Sequence, residues 1–166
     1  MISAPTSNFD LALNTKSGPT ADLAVRKALE MGIDKELISE NVFYGMRPSA
    51  DFIFDRTLPY CDVDVTTYSY DPEQAVSLLE EAGWTDEDGD GIREKDGEPL
   101  SIDYIYTSAD NVAKSLGEVL QGMYGELGIA LNITGLDIDA FEDSQKEGTF
   151  GIIISETPLA RSSPSR

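Results

Sequence analysis

Asp86, Asp88 and Asp90 stand at alternate positions and are followed by Gly91, in the segment Thr85-Asp86-Glu87-Asp88-Gly89-Asp90-Gly91-Ile92-Arg93-Glu94-Lys95-Asp96-Gly97. Carboxylates at the first, third and fifth positions of a loop, with a glycine sixth and a backbone carbonyl seventh, are how a chain offers hard oxygen ligands to calcium. On that spacing Ile92 supplies the carbonyl. The twelfth position, where a bidentate Glu belongs, is Gly97, so Glu94 or Asp96 has to complete the shell. The expected metal site is therefore Asp86, Asp88, Asp90, Ile92, Glu94 and Asp96, with calcium in a structural role between the helix end at Trp84 and a strand near Leu100. The competing reading is a solvated acidic turn. Three carboxylates in one loop repel unless a cation or water screens them, and Gly89, Gly91 and Gly97 suit turn geometry.

Other carboxylates lie close in sequence. Asp137 with Asp139, and Glu142 with Asp143, offer general acid–base chemistry in principle, and a carboxylate-based hydrolase or lyase would have to run on them. Nothing beside them supplies a nucleophile or a glycine-rich phosphate loop, so exposed helix positions are the expected role. The chain has no His and a single Cys, Cys61, which removes the Ser-His-Asp arrangements, multi-thiolate metal sites and internal disulfides. Arg26 and Arg93 are rare cations in an acidic chain and read as structural partners rather than ligand clamps. A net charge of −19 argues against nucleic acid and anionic lipid as partners, because phosphate binding needs cations to replace counterions.

The elements that must position these groups follow from periodicity. With 166 residues, 40% of them hydrophobic, the chain can form one domain with a real core. No apolar run is long enough to span a bilayer, and Met1 to Asp10 lacks the pattern of a signal peptide, as a chain trimmed of its signal also would. Phe9 to Asn14 reads as a strand. A helix capped by Thr20 runs to Met31, and a second starts at Asp34. Met46 to Tyr70 is a long aromatic-rich connection without period. Asp71-Pro72 opens a helix with Ala75, Leu78, Leu79 and Ala82 as its buried stripe. Leu100 to Thr107 alternates as a strand, and Asp110 caps a helix with Val112, Leu116, Val119, Leu120 and Met123 inward. Ile129 to Thr134 is a strand, Ile138 to Lys146 a helix and Phe150 to Ile154 a strand, while the tail from Ser155 is expected to be disordered or loosely draped. Alternating strands and helices indicate an α/β layer architecture.

These residues also resemble a known family. Leu13-Asn14-Thr15, Gly18-Pro19-Thr20, Ala24-Val25-Arg26-Lys27-Ala28-Leu29 and Ile33-Asp34-Lys35 are similar to a passage of the peptide/nickel-type (family 5) extracellular solute-binding proteins. The similarity continues through Tyr44-Gly45, Ala50-Asp51, Leu58-Pro59-Tyr60, Tyr70-Asp71-Pro72, Leu78-Leu79-Glu80-Glu81-Ala82-Gly83-Trp84, Ile92-Arg93-Glu94-Lys95-Asp96-Gly97 and Leu127-Gly128-Ile129. Gly18-Pro19-Thr20 followed by Ala50-Asp51 and Leu58-Pro59-Tyr60 is most similar to the nickel-binding branch. The resemblance implies one lobe of a two-lobed, type II periplasmic-binding-protein-like fold. Residues 1–157 would be part of the C-terminal lobe and residues 158–166 an irregular tail. It implies binding without catalysis, nickel or a peptide as ligand of the full-length parent, and delivery to a membrane ABC permease. The parent's location would be periplasmic or extracellular, with a lipoprotein anchor in a Gram-positive host. The pattern departs after Thr157, where the family's Trp-Gly-x-Pro-Tyr-Asp-Pro passage and its nickel-site His have no counterpart. A calcium-stabilised interaction module is the alternative that the acidic loop raises.

Overall fold

The computed structural model describes residues 7–47, 49 and 66–158. Its scaffold is a four-stranded mixed sheet in the order β1-β6-β4-β5, where β1 is Ser7–Leu13, β4 Ser101–Thr107, β5 Ala130–Leu136 and β6 Ile152–Pro158. Strand β4 runs parallel to both β5 and β6, and β1 is antiparallel to β6. Helix α4 (Asn111–Gly125) connects β4 to β5, and α5 (Ile138–Glu147) connects β5 to β6. Parallel neighbours need such crossovers, and right-handed crossovers in opposite directions put the two helices on opposite faces. The α/β architecture expected from the alternation of patterns is the one observed.

Three helices precede and flank the sheet: α1 (Leu23–Met31), α2 (Lys35–Asn41) and α3 (Pro72–Glu81), with α1 packed along α3. Each starts at an Asp. Asp22, Asp34 and Asp71 accept hydrogen bonds from the backbone N–H groups of Ala24, Leu37 and Gln74, as Asp110 and Asp137 do for α4 and α5. These carboxylates satisfy orphan donors and meet the positive end of each helix dipole. The first of these differs from expectation. Thr20 does not cap α1; it sits in a 3-10 turn, Pro19–Ala21, almost wholly buried, and Asp22 takes the cap.

One core fills the space between α1, α3, α4 and the sheet, around Val25, Leu29, Leu79, Leu100, Ile102, Tyr104, Leu120, Tyr124, Ile129 and Ile152. Tyr104 and Tyr124 are buried with their hydroxyls donating to the carbonyls of Ala113 (2.7 Å) and Leu29 (3.2 Å), and burial pushes both phenols up in pKa. The inward stripe of α4 is Ala113, Leu116, Gly117, Leu120 and Tyr124 rather than one containing Val112, which is 42% exposed.

Two short strands, β2 (Glu94–Lys95) and β3 (Glu98–Pro99), form a hairpin after the acidic loop. The tail corrects a second expectation: Ser155 to Pro158 continue β6 and pair with Asp10 to Ser7 of β1. An edge-strand partner, invisible to local pattern, orders them. The rest of the tail expected to be irregular (159–166), Cys61 and most of the connection 46–70 lie outside the described residues.

Candidate functional site

The acidic loop folds back on its own backbone. Asp86 accepts from the N–H groups of Gly89 (2.8 Å) and Gly91 (3.1 Å), Asp88 from Asp90 (3.0 Å), Asp90 from Ile92 (2.7 Å) and Glu94 from Glu87 (2.9 Å). Gly89 and Gly91 have φ of 80° and 94°, conformations open to glycine and costly for other residues. This folding gathers one carboxylate oxygen from each of Asp86, Asp88, Asp90 and Glu94 within 4.8 Å of one another. Asp96 stands outside that group. With Gly97 it makes the turn between β2 and β3, both residues at positive φ (55° and 81°), the geometry for which hairpins favour Asp-Gly.

The hairpin is fastened to the body by its two cations. Arg93 donates to the carbonyls of Leu127 (2.7 Å) and Trp84 (3.1 Å) and pairs with Glu80 at 3.3 Å. Lys95 reaches Asp22 at 3.3 Å, on the carboxylate oxygen that also accepts the Trp84 indole N–H at 3.2 Å. Burial raises the Asp22 pKa, but the Ala24 N–H, the Trp84 indole and Lys95 together outweigh it and hold the carboxyl below its ordinary value.

A different arrangement lies toward the carboxyl end of β4, the side of an open α/β sheet where ligands generally bind. Phe9 of β1, Ile105 and Tyr106 of β4, Thr107, Asp110, Ala113, Phe141 of α5 and Ile154 of β6 line a crevice of about 170 Å³ there. Arg47 lies over the Phe9 ring, 4.3 Å from its centroid, and Phe43 packs on Phe9 at 5.5 Å. Polar groups at the mouth are committed to structure: Asp110 accepts from Ala113 N–H at 2.9 Å, and Thr107 C=O accepts from Asp110 N–H at 2.8 Å.

At the opposite end of β4 a cavity of about 260 Å³ lies between Ser17–Thr20, Ser101–Asp103 and Gly148–Gly151. Asn14, 7% exposed, fixes one wall by donating to the carbonyls of Gly148 (2.8 Å) and Phe150 (3.0 Å) while its side-chain oxygen accepts from Lys16 N–H. The hydroxyl of buried Thr20, one of its lining residues, has no hydrogen-bond partner.

The carboxylate pairs considered for acid–base work have other tasks. Asp137 caps α5, and Glu142 and Asp143 pair with Lys146 at 3.6 and 3.7 Å on an exposed helix face. None lines either cavity. The crevice residues Phe9, Phe141 and Ile154 were not singled out by sequence, since isolated apolar side chains on three separate elements share no motif.

Comparison with known proteins locates this architecture. Residues 2–165 match the model of the bacterial extracellular solute-binding proteins, family 5 Middle, a match that carries past Thr157. The nickel-binding periplasmic protein of Escherichia coli (strain K12) is 36% identical over 156 residues, covering 94% of this chain and 30% of that protein. The structure of NikA from Brucella suis in complex with Fe(III)-EDTA superposes with a TM-score of 0.91 at 38% identity, over 98% of this chain and 32% of the other. The oligopeptide-binding protein AppA of Bacillus subtilis, in complex with a nonapeptide, gives 0.83 at 26% identity, over 93% of this chain and 31% of the other. The chain thus spans about a third of the length of these relatives.

Proposed function

The chain belongs to the bacterial extracellular solute-binding proteins of family 5, and we propose that it forms part of the C-terminal lobe of an ABC-importer receptor for nickel complexes or peptides. The crevice toward the carboxyl end of β4 supports this reading: a partly apolar recess lies on the side of an open α/β sheet where ligands generally bind. The lobe binds and does not catalyse. A membrane permease takes the ligand from the full-length receptor, which works in the periplasm or outside the cell, with a lipoprotein anchor in a Gram-positive host. None of the helices among the described residues is long and apolar enough to cross a membrane.

Calorimetric titration of the full-length receptor with nickel complexes and with short peptides tests the reading. Saturable binding of one class is expected, and heats indistinguishable from dilution for both would overturn it. The 166-residue chain alone should bind nickel poorly, because it holds half of a site formed between lobes; tight stoichiometric binding by the isolated chain contradicts that.

For the acidic loop, the gathering of Asp86, Asp88, Asp90 and Glu94 favours calcium as a structural ion. The Ile92 carbonyl would join those carboxylates, and Asp96 would take part only if the hairpin turn moved toward them. Calcium that binds the folded state raises the melting temperature by mass action, and Asp88→Ala should blunt that rise. A melting temperature indifferent to millimolar calcium and to chelator leaves the loop a solvated turn.

A further inference from the structure

We propose that the outer edge of β5 is a latent self-pairing surface, and that Gln121 of α4 keeps it closed by occupying the backbone carbonyl that β5 of a second copy would need.

Strand β5 ends the sheet order β1-β6-β4-β5, with β4 as its neighbour. Two hydrogen bonds fix which of its backbone groups face that neighbour. Ala130 N–H donates to Leu100 C=O at 2.9 Å, and Leu136 C=O accepts from Ser108 N–H at 2.7 Å. In a parallel ladder each residue turns its N–H and C=O to the same side, and successive residues alternate. Ala130, Asn132, Thr134 and Leu136 therefore face β4, while Leu131, Ile133 and Gly135 turn their backbone groups outward. That outer side meets solvent. Gly135 is exposed, and with no side chain its exposure belongs to its backbone; Asn132, Thr134 and Gln121 are exposed around it.

An open edge invites another strand, and natural sheets protect such edges with Lys, Pro or a bulge. Ala130–Leu136 reads Ala-Leu-Asn-Ile-Thr-Gly-Leu, without charge or Pro, and pairs with β4 residue for residue. Protection comes from the helix instead. Gln121 Nε2 donates to the outward carbonyl of Leu131 at 2.9 Å, which lays the amide across the edge. Gln121 is exposed while its helix neighbour Leu120 is fully buried, so the hydrogen bond rather than core packing holds the amide there.

The strand that fits this edge is β5 itself. Antiparallel addition about a two-fold axis at Ile133 sets Leu131 opposite Gly135 of the second copy and Ile133 opposite its own counterpart, so every outward N–H and C=O finds a partner. Ile133 then meets Ile133 on the face toward α4, where its Cγ2 lies 3.1 Å from the place of a Gly117 Cβ. Asn132 meets Thr134 on the other face. β-Branched and hydrogen-bonding cross-strand pairs of this kind stabilise sheets. In that register Leu131 C=O must accept from Gly135 N–H of the second copy, and the Gln121 amide occupies the approach in both copies.

Sedimentation velocity of the full-length protein tests this in 0.15 M sodium chloride, where a Debye length of about 8 Å confines repulsion between two acidic copies to close approach. Gln121→Ala puts the best helix former at an exposed helix position and should fold as wild type does, which melting curves report. It should self-associate at least tenfold more tightly than wild type. Hydrogen exchange locates the contact: the Ile133 and Gly135 N–H groups should exchange quickly in wild type and be protected in the associated variant. Gln121→Lys returns a donor to the carbonyl and adds charge at the edge, and should associate no more than wild type. The readouts need no ligand, so they are independent of which solute the receptor takes. A folded alanine variant no more associated than wild type overturns the inference, as does association that leaves the Ile133 and Gly135 amides unprotected. Wild type that already pairs through those amides, or a lysine variant that associates like the alanine one, overturns it too.

Discussion

Asp22 shows how much one carboxylate does in this fold. It caps α1 through Ala24 N–H at 2.9 Å and holds the Trp84 indole and Lys95, so it joins the first helix to the hairpin behind the acidic loop. Asp22→Ala removes the cap and leaves the indole N–H without this acceptor, and is expected to cost about 1–3 kcal/mol in urea unfolding. Trp84 is the only Trp, so a shift in its emission reports the same change locally. The pH dependence has a definite sign. Because the folded pKa is lowered, the contribution is full above the unfolded value of about 3.9 and is lost as pH falls through the folded value. Acid unfolding of Asp22→Ala should therefore be shallower below pH ~4 than that of wild type; parallel curves would contradict the assignment. Thr20 runs the other way. Its hydroxyl is buried and unpartnered, so the near-isosteric Thr20→Val should stabilise by about 1 kcal/mol, and a loss of stability would show that the hydroxyl has a partner in solution.

At the scale of elements, the helix α4 carries the test of packing. Gly117 faces β4, and a Cβ there would lie 2.6 Å from Cε1 and 2.9 Å from Cδ1 of Tyr104. Helix propensity favours Ala over Gly by about 1 kcal/mol, but overpacking a filled core costs about 1–3 kcal/mol, so the clash should win. Gly117→Ala is expected to lower the melting temperature, whereas Gly122→Ala on the same helix, with open space around it, should raise it. The same helix marks the limit of sequence reading. Its existence, its Asp110 cap and its end near Gly128 were legible because caps and breakers are local. Its buried face was legible in part: Leu116 and Leu120 are buried and Val119 and Met123 pack on the core, but Tyr104 needs a glycine opposite it and gains Ala113 as hydrogen-bond acceptor, which moves the stripe off Val112. Likewise Asp71-Pro72 announced α3, while Ser155–Pro158 gave no strand signal and are ordered by β1, far away in sequence. Of the candidate site, the spacing of Asp86, Asp88 and Asp90 was readable along the chain; the crevice needs side chains that only the sheet brings together.

At the scale of the whole molecule, charge sets the terms. The net charge is −19, and between Asp71 and Glu98 only Arg93 and Lys95 offset a dense run of carboxylates. Arg93 and Lys95 are both spent on fastening the hairpin, through Glu80 and Asp22, so the remaining acidic groups of that face repel one another. The range of that repulsion is set by salt, with a Debye length of about 30 Å at 0.01 M and about 8 Å at 0.15 M. At the longer range most of the face acts on itself; at the shorter, only neighbours do. Self-repulsion opposes the compact state more than the expanded one. Raising sodium chloride from 0.01 to 0.15 M should therefore lift the melting temperature by several degrees, where each ~1 kcal/mol is worth about 2–4 °C for a chain of this size. Screening is blind to which ion supplies it, whereas the loop of Asp86, Asp88, Asp90 and Glu94 is not. At matched ionic strength, a few millimolar calcium should add a further rise that Asp88→Ala removes, while the sodium effect survives in the variant. If sodium alone leaves the melting temperature unmoved, the acidic face is already compensated in solution and the account of its repulsion is wrong.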